Sequence, residues 1–500
     1  MATYMELLCG LVVLAITFYY YLVCNFDFWK KRGVPGPKPL PLFGTHKDLI
    51  FANISVAYVV EDLYKKYRNE PAVGLYNGRS PVLILHDPDV IKTVIVKDFP
   101  MFGSRPHKPH ERTEPLSVNL FFLDEVRWRP LRPKLSPLFT SKKLKGMFDL
   151  MVECTDSLNK YLDYIVSKNE IVEISDVAAK FTTNVIGSCA FGINTNTMNN
   201  EDNEFRDKGK QIFEGNIENT IRLKLRLFLP KLYDLIGFVW PENKLAPFFT
   251  KLLMETMEYR KKNNIHRPDF VHLLMELRDH SDTVNDIELT DQLLTAQAYT
   301  FYAAGFETSS AAISAALLEL AQNHDIQDKL RKELKQYMEE NNGKITYESV
   351  KKMEYLDKVF KETLRKYPVG AILQRVASND YYFESLKFSI PKSTEVWIPI
   401  YAIHRDPIIY PNPTKFDPER FTKEAAATRH PMHYIPFGDG PRSCIGTRFA
   451  TFETKIGIFK ILLRYKVDIC EQTKLPYEFD PKTFLLSHKG GIFLKMTKIE

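Results

Sequence analysis

The stretch Phe437-Gly-Asp-Gly-Pro-Arg-Ser-Cys-Ile-Gly446 constrains this chain more than any other: one cysteine among glycines, two residues after an arginine, ahead of an apolar helical run starting near Thr447. Gly440 and Gly446 are read as positions of positive φ and of close backbone approach to a flat partner, which a β-carbon would oppose. Cys444 is predicted at a helix N-terminus, where the dipole and unpaired N–H groups favour a thiolate. A buried free cysteine in a tight turn is the plainer reading of any single cysteine. Five specified residues at fixed spacing argue against it here. A catalytic thiol would call for a histidine signature nearby, and none follows.

A thiolate so placed suits iron, and haem held by a thiolate is the arrangement in which electron donation from sulfur favours O–O cleavage. Arg442 can then pair with a haem propionate, and Phe437 can shield the sulfur from water. The loop resembles that of the cytochrome P-450 superfamily, Phe-x-x-Gly-x-Arg-x-Cys-x-Gly, at every specified position. The resemblance runs essentially from the amino-terminal segment to the carboxyl end and implies a haem-thiolate monooxygenase with Cys444 as the metal ligand.

Further motifs fall in the order the resemblance expects. Glu362-Thr-Leu-Arg365 places an acid and a base on one helix face. Alone it reads as a surface ion pair; in the resembling family it is buried and joined by the arginine of Pro418-Glu-Arg-Phe421, which brings in Arg420. Trp128 and Arg132, four apart, share one side of a helix and could meet one propionate together, although Pro130 between them would interrupt a helical ladder. The resemblance adds Arg375 as a propionate contact, with His404 nearby. The apolar run from Asp291 to Asn323 would span about 50 Å as one helix. Within it Ala304-Gly-Phe-Glu-Thr308 matches the family's oxygen-binding segment. Thr308 is expected to hydrogen-bond dioxygen or water, and Glu307 to help relay a proton.

Between Glu6 and Asp27 lie twenty uncharged residues, about 30 Å of helix, the thickness of a bilayer's hydrocarbon core. No basic n-region precedes them, so a retained anchor is expected rather than a cleaved signal peptide. Tyr19, Tyr20, Tyr21 and Trp29 suit a membrane interface. Lys30, Lys31 and Arg32 place the downstream chain in the cytosol, on the endoplasmic reticulum membrane in the resembling group. Residues 1–29 are therefore read as an anchor with its interfacial flank, 30–44 as a basic, proline-rich linker, and 45–500 as a haem-binding monooxygenase domain. The fold expected is mainly α with a small β region, a single large catalytic domain. Helical periodicity dominates residues 55–330, while Pro81–His86 and Glu395–Ile400 read as strands. The Asn-rich stretch 194–203 reads as a solvated loop. Six scattered cysteines and a net charge of +6 give no disulfide framework, no zinc pair and no nucleic-acid-binding excess.

Phe121, Phe122, Phe301, Ala304, Val369 and Ala371 are candidates for an apolar pocket, which predicts a lipophilic substrate. Pro115-Leu-Ser-Val-Asn-Leu-Phe121 and Lys134-Leu-Ser-Pro-Leu-Phe-Thr140 resemble the insect microsomal group associated with xenobiotic oxidation. The resemblance implies electrons from NADPH through a flavin reductase, with cytochrome b5 as a further donor. Arg127, Arg129, Lys134, Lys142, Lys143 and Lys145 offer a basic face for an acidic partner, or simply a solvated surface. Oxidation of an endogenous lipid or hormone, a reductase-independent haem-thiolate isomerase, and a noncatalytic haem protein are the alternatives.

Overall fold

The computed structural model describes residues 2–198, 203–213, 217–242, 244–279, 287–483 and 485–499. Helix α1 (Ala2–Val23) stands clear of the body with its apolar side chains exposed, long and apolar enough to cross a membrane. The body is helical around one long element. Helices α2 (Glu125–Leu135), α3 (Ser141–Lys168) and α4 (Ile174–Ile186) precede α5 (Asp291–Gln322), and α6 (Glu354–Lys366) and α7 (Thr447–Arg464) come after it. Thr290 caps α5 by accepting the N–H of Leu293 at 3.1 Å. Its second half is apolar or small apart from Glu307, Glu319 and Gln322, so most of its circumference must be buried. It packs against α4, α6 and α7 at the centre of the main core.

Helix α2 contains Pro130 and Pro133 and stays helical. Asp124 caps it by accepting the N–H of Arg127; Pro130 and Pro133 sit past the first turn and forgo two ladder bonds, and the helix is held through its buried face of Trp128, Leu131 and Leu135. Trp128 and Arg132 therefore do share a face.

Both expected strands form. β1 (Ala72–Asn77) and β2 (Ser80–Leu85) make a hairpin turned at Gly78, whose φ is +56°. With β3 (Ile171–Glu173), β4 (Leu373–Val376), β5 (Tyr381–Phe383), β6 (Phe388–Ile390), β7 (Glu395–Ile398), β8 (Tyr465–Asp468) and β9 (Phe493–Lys498) they build a sheet β1-β2-β7-β4, a sheet β3-β9-β8 and the hairpin β5-β6. β2 runs parallel to β7 with Val82 opposite Glu395, and β7 antiparallel to β4.

Two expectations are corrected. Trp29 is no interfacial residue: it is 3% exposed, its indole N–H donates to Leu75 O at 2.9 Å, and it fills a slot at Gly74. A β-carbon at Gly74 would lie 2.2 Å from the indole. Residues 30–44, read as a proline-rich linker, are seated on β1, with Gly44 bridged to Asn77 and Gly74 N–H donating to Pro35 O. The Asn-rich stretch is not wholly solvated either. Thr195 and Thr197 are buried, donating to the side-chain oxygen of Asn184 at 2.5 and 2.8 Å; residues 199–202 lie outside the described residues.

Candidate active site

The cysteine loop is built by its glycines. Gly438 and Gly440 have φ of +69° and +71°, and a β-carbon on Gly440 would stand 1.9 Å from Ile95 O. Gly446 differs from expectation: its φ is −88°, and it serves as the N-cap position of α7. A β-carbon there would stand 4.0 Å from Cys444 Sγ, an ordinary contact, so neither positive φ nor close approach demands the glycine in this structure. Cys444 N–H donates to Phe437 O at 2.9 Å, closing the loop. Phe437 stacks on Phe360 with ring centroids 6.4 Å apart.

Cys444 opens onto an internal cavity of about 390 Å³. Phe437, Gly438, Arg442, Ser443 and Gly446 line it from the loop; Ala304, Gly305, Thr308 and Ser309 line it from α5. Its walls are otherwise largely apolar, and they include Phe121, Phe301 and Val369. Phe122 and Ala371 do not line it. Phe122 lies beneath the Arg226 guanidinium at 3.9 Å, and Ala371 packs with Tyr367 and Tyr401. Phe301 also belongs to the core, stacked on Phe270 at 4.8 Å.

Burial raises the Cys444 thiol, against the pull of the Gly446 N–H, the Thr447 hydroxyl, Arg132 and Arg105. Burial thus opposes the thiolate that the helix N-terminus favours, and a positive partner at the sulfur would favour it again.

Four guanidinium groups, those of Arg105, Arg132, Arg375 and Arg442, line the same cavity with Trp128, and no carboxylate does. Arg442 lies over the Trp128 ring at 4.4 Å and donates through Nη2 to Leu123 O, leaving Nε and Nη1 buried without a partner. Arg375 donates through Nη1 to Gln374 O and leaves Nε and Nη2 likewise. Burial, then Arg105, holds Arg442 down at about 9. Arg375 is lowered by burial and by both neighbouring arginines, and burial lowers Arg105 to about 10. Buried cations gathered without an anion are costly. A flat apolar group with two carboxylates would meet the unpaired N–H groups, and a thiol faces the same space. Haem has those features. Arg105 escaped the sequence reading because it sits in no motif.

Behind the loop lies the expected ion-pair system. Arg365 donates through Nε and Nη2 to the two oxygens of Glu362 at 2.6 and 2.8 Å, with both side chains fully buried. Arg420 Nε stands 3.4 Å from Glu362 Oε1, and Asp417 N–H donates to the same oxygen at 2.9 Å. Arg365 also donates to His404 O. His404 is not a cavity residue: its Nε2 accepts the Ile435 N–H at 3.1 Å, two residues before Phe437. It buttresses the loop from behind.

The oxygen segment is divided. Thr308 lines the cavity and donates to Ala304 O at 2.6 Å. Glu307 does not line it, being rotated about 100° around α5. Burial raises its carboxyl, against the pull of Arg206.

The family model for cytochrome P450 matches residues 34–496. The chain belongs to the cytochrome P450 family. Similar proteins include cytochrome P450 6a2 of Drosophila melanogaster, 38% identical over 95% of this chain and 96% of that protein. Cytochrome P450 6B1 of Papilio polyxenes is 38% identical over 98% and 99%. Cytochrome P450 6k1 of Blattella germanica is 36% identical over 98% and 96%. This P450 therefore stands with the insect family-6 enzymes, as its Pro115–Phe121 and Lys134–Thr140 stretches suggested. Members of the family are haem monooxygenases that bind the iron through a cysteine thiolate.

Proposed function

We propose that this P450 oxidises lipophilic small molecules, foreign compounds above all. Electrons would come from NADPH through a flavin reductase, with cytochrome b5 as a second donor. α1 would span the endoplasmic reticulum membrane and leave the body in the cytosol. The observation that carries this reading is the single cavity shared by the Cys444 thiol, four guanidinium groups without a carboxylate partner, Thr308 and an apolar wall.

Cys444 would ligate the iron; Arg105, Arg132, Arg375 and Arg442, with the Trp128 indole, would hold the propionates. Haem so held would supply the reductive activation of O2, in which two electrons and two protons leave one oxygen atom on the substrate and the other in water. Phe437 and Phe360 keep water from the sulfur side. Glu362, Arg365 and Arg420, with His404, fix the scaffold on which the loop rests.

The Thr308 hydroxyl can turn from Ala304 O to a group in the cavity and pass a proton at its oxygen. Glu307 stands behind it, a carboxyl whose proton affinity burial raises against the pull of Arg206. Phe121, Phe301, Ala304 and Val369 supply the surface against which a lipophilic substrate loses its water.

On the outer face, Arg127 and Arg129 are already paired with Glu111 and Asp124, and with Glu125. Lys142 and Lys143 carry no ion pair among the described residues and are the better candidates for meeting an acidic reductase.

The test is reconstitution with reductase, NADPH and O2 in lipid vesicles. NADPH-dependent products from lipophilic probes are expected, and none across a broad panel would refute the reading. Thr308→Ala should retain haem but divert reducing equivalents to peroxide or water. Unchanged product per NADPH would remove Thr308 from proton delivery.

A further inference from the structure

The cavity wall made by β4 and the chain around residues 105–121 holds a hydrogen-bonding pair that none of these roles uses. His107 and Gln374 both line the cavity, with His107 Nε2 3.0 Å from Gln374 Oε1. An amide oxygen only accepts, so the imidazole carries a proton on Nε2. Burial, then the charge of Arg226, holds His107 down at about 4, so the ring is neutral with one proton to give. That bond fixes the orientation of the amide. Its other end, the Gln374 NH2 group, makes no hydrogen bond among the described residues.

Two other neutral polar side chains of the cavity, Gln297 and Thr300, already make hydrogen bonds. Gln297 accepts the Leu120 N–H at 2.9 Å and donates to Val118 O and Leu293 O at 3.0 Å each. Thr300 donates to Ala296 O at 2.8 Å. Gln374 itself is held in place by β4 pairing with Trp397 and by Arg375 Nη1, which donates to its backbone oxygen at 2.8 Å. The donor is therefore fixed in position, faces the cavity and lacks an acceptor.

We propose that Gln374, oriented by His107, is a specificity-determining donor: it favours lipophilic substrates that carry an accepting oxygen, such as a ketone or lactone carbonyl, over hydrocarbons of the same shape. This deepens the proposed function and rests on substrates binding in this cavity. A substrate filling the wall strips water from the amide. With an accepting oxygen the bond is replaced, and without one a donor is left buried and unmet, which a binding site discriminates against strongly.

The test uses the full-length haem-loaded protein in detergent and reads equilibrium binding from the haem spin-state shift. The probes are 7-ethoxycoumarin and 2-ethoxynaphthalene, two fused rings with the same ether, of which only the first has a lactone carbonyl. Gln374→Leu should lower the ratio of the two affinities about five-fold against the unaltered protein, by weakening the coumarin alone. A ratio unchanged within about two-fold would overturn the inference while leaving the proposed function standing. If Gln374→Leu fails to retain haem, Gln374→Glu keeps the length and the acceptor toward His107 but removes the NH2 donor, and the same fall is expected. A spin-state shift from neither probe in the unaltered protein would count against the cavity as the substrate site, and the inference would fall with it.

Discussion

Glu362→Gln removes one charge from a site where the structure leaves the remaining one no escape. The carboxylate takes two bonds from Arg365 at 2.6 and 2.8 Å and one from Asp417 N–H at 2.9 Å, and Arg365 and Glu362 are both fully buried. In the variant an NH2 group must face a guanidinium, and the Arg365 charge loses its counter-ion. Breaking a buried pair from one side costs about 3–5 kcal/mol. An unfolding entropy of roughly 2.1 cal/mol/K per residue gives about 1 kcal/mol/K for a chain of 500 residues. The apparent melting temperature should therefore fall by about 3–5 °C, followed by circular dichroism in parallel with loss of haem absorbance. The double variant Glu362→Gln with Arg365→Met removes both charges and should melt above the sum of the two single losses. A fall under about 1 °C, or a double variant whose loss is additive, would refute the claim that this pair acts as one buried unit.

Three further outcomes are expected of the same structure. Arg375→Leu removes a guanidinium with two unpartnered N–H groups in the cavity, and haem transfer to excess apomyoglobin should accelerate by about ten- to a hundred-fold, the range for a charge-assisted hydrogen bond; an unchanged rate would remove Arg375 from cofactor binding. Burial holds His46 down at about 4 and burial with Arg365 holds His404 at about 3, so below an ordinary value of about 6.5 the unfolded chain gains protons that the folded one refuses. Stability should thus fall as pH drops from about 6.5 toward 4, and His46→Gln should lessen the fall in urea midpoint between roughly pH 7 and pH 5; an equal fall would exclude His46 as a source. Trp29→Ala empties the slot at Gly74 and should let a protease cleave between residues 30 and 44 in detergent, where the unaltered protein resists; equal resistance would show that the tryptophan does not seat this segment.

Much of the site was legible because its chemistry is local in sequence. Phe437 to Gly446 carries the sulfur, an arginine and the turn glycines within ten residues, and Glu362 with Arg365 shares a single helical turn. The features that escaped depend on distant partners. Trp29 beside three basic residues reads as interfacial until Gly74 is seen to make room for it. Arg105 lies in no motif and gains its meaning only when chain folding brings it to Arg375 and Arg442. Phe121 and Phe122 looked alike, yet only one of two adjacent side chains faces the cavity. The same geometry separates Glu307 from Thr308, and there the 100° step of a helix could have given warning. His404 was placed only in the neighbourhood of the arginines, since its bond to Ile435 could not be read from spacing.

Whether Cys444 is the iron ligand is decided most directly by the absorbance of the ferrous carbon monoxide complex, recorded for the full-length protein and for Cys444→Ala. The unaltered protein should give the thiolate-type band, and the variant should lose it even where haem is retained. Survival of that band in Cys444→Ala would contradict the account at its centre.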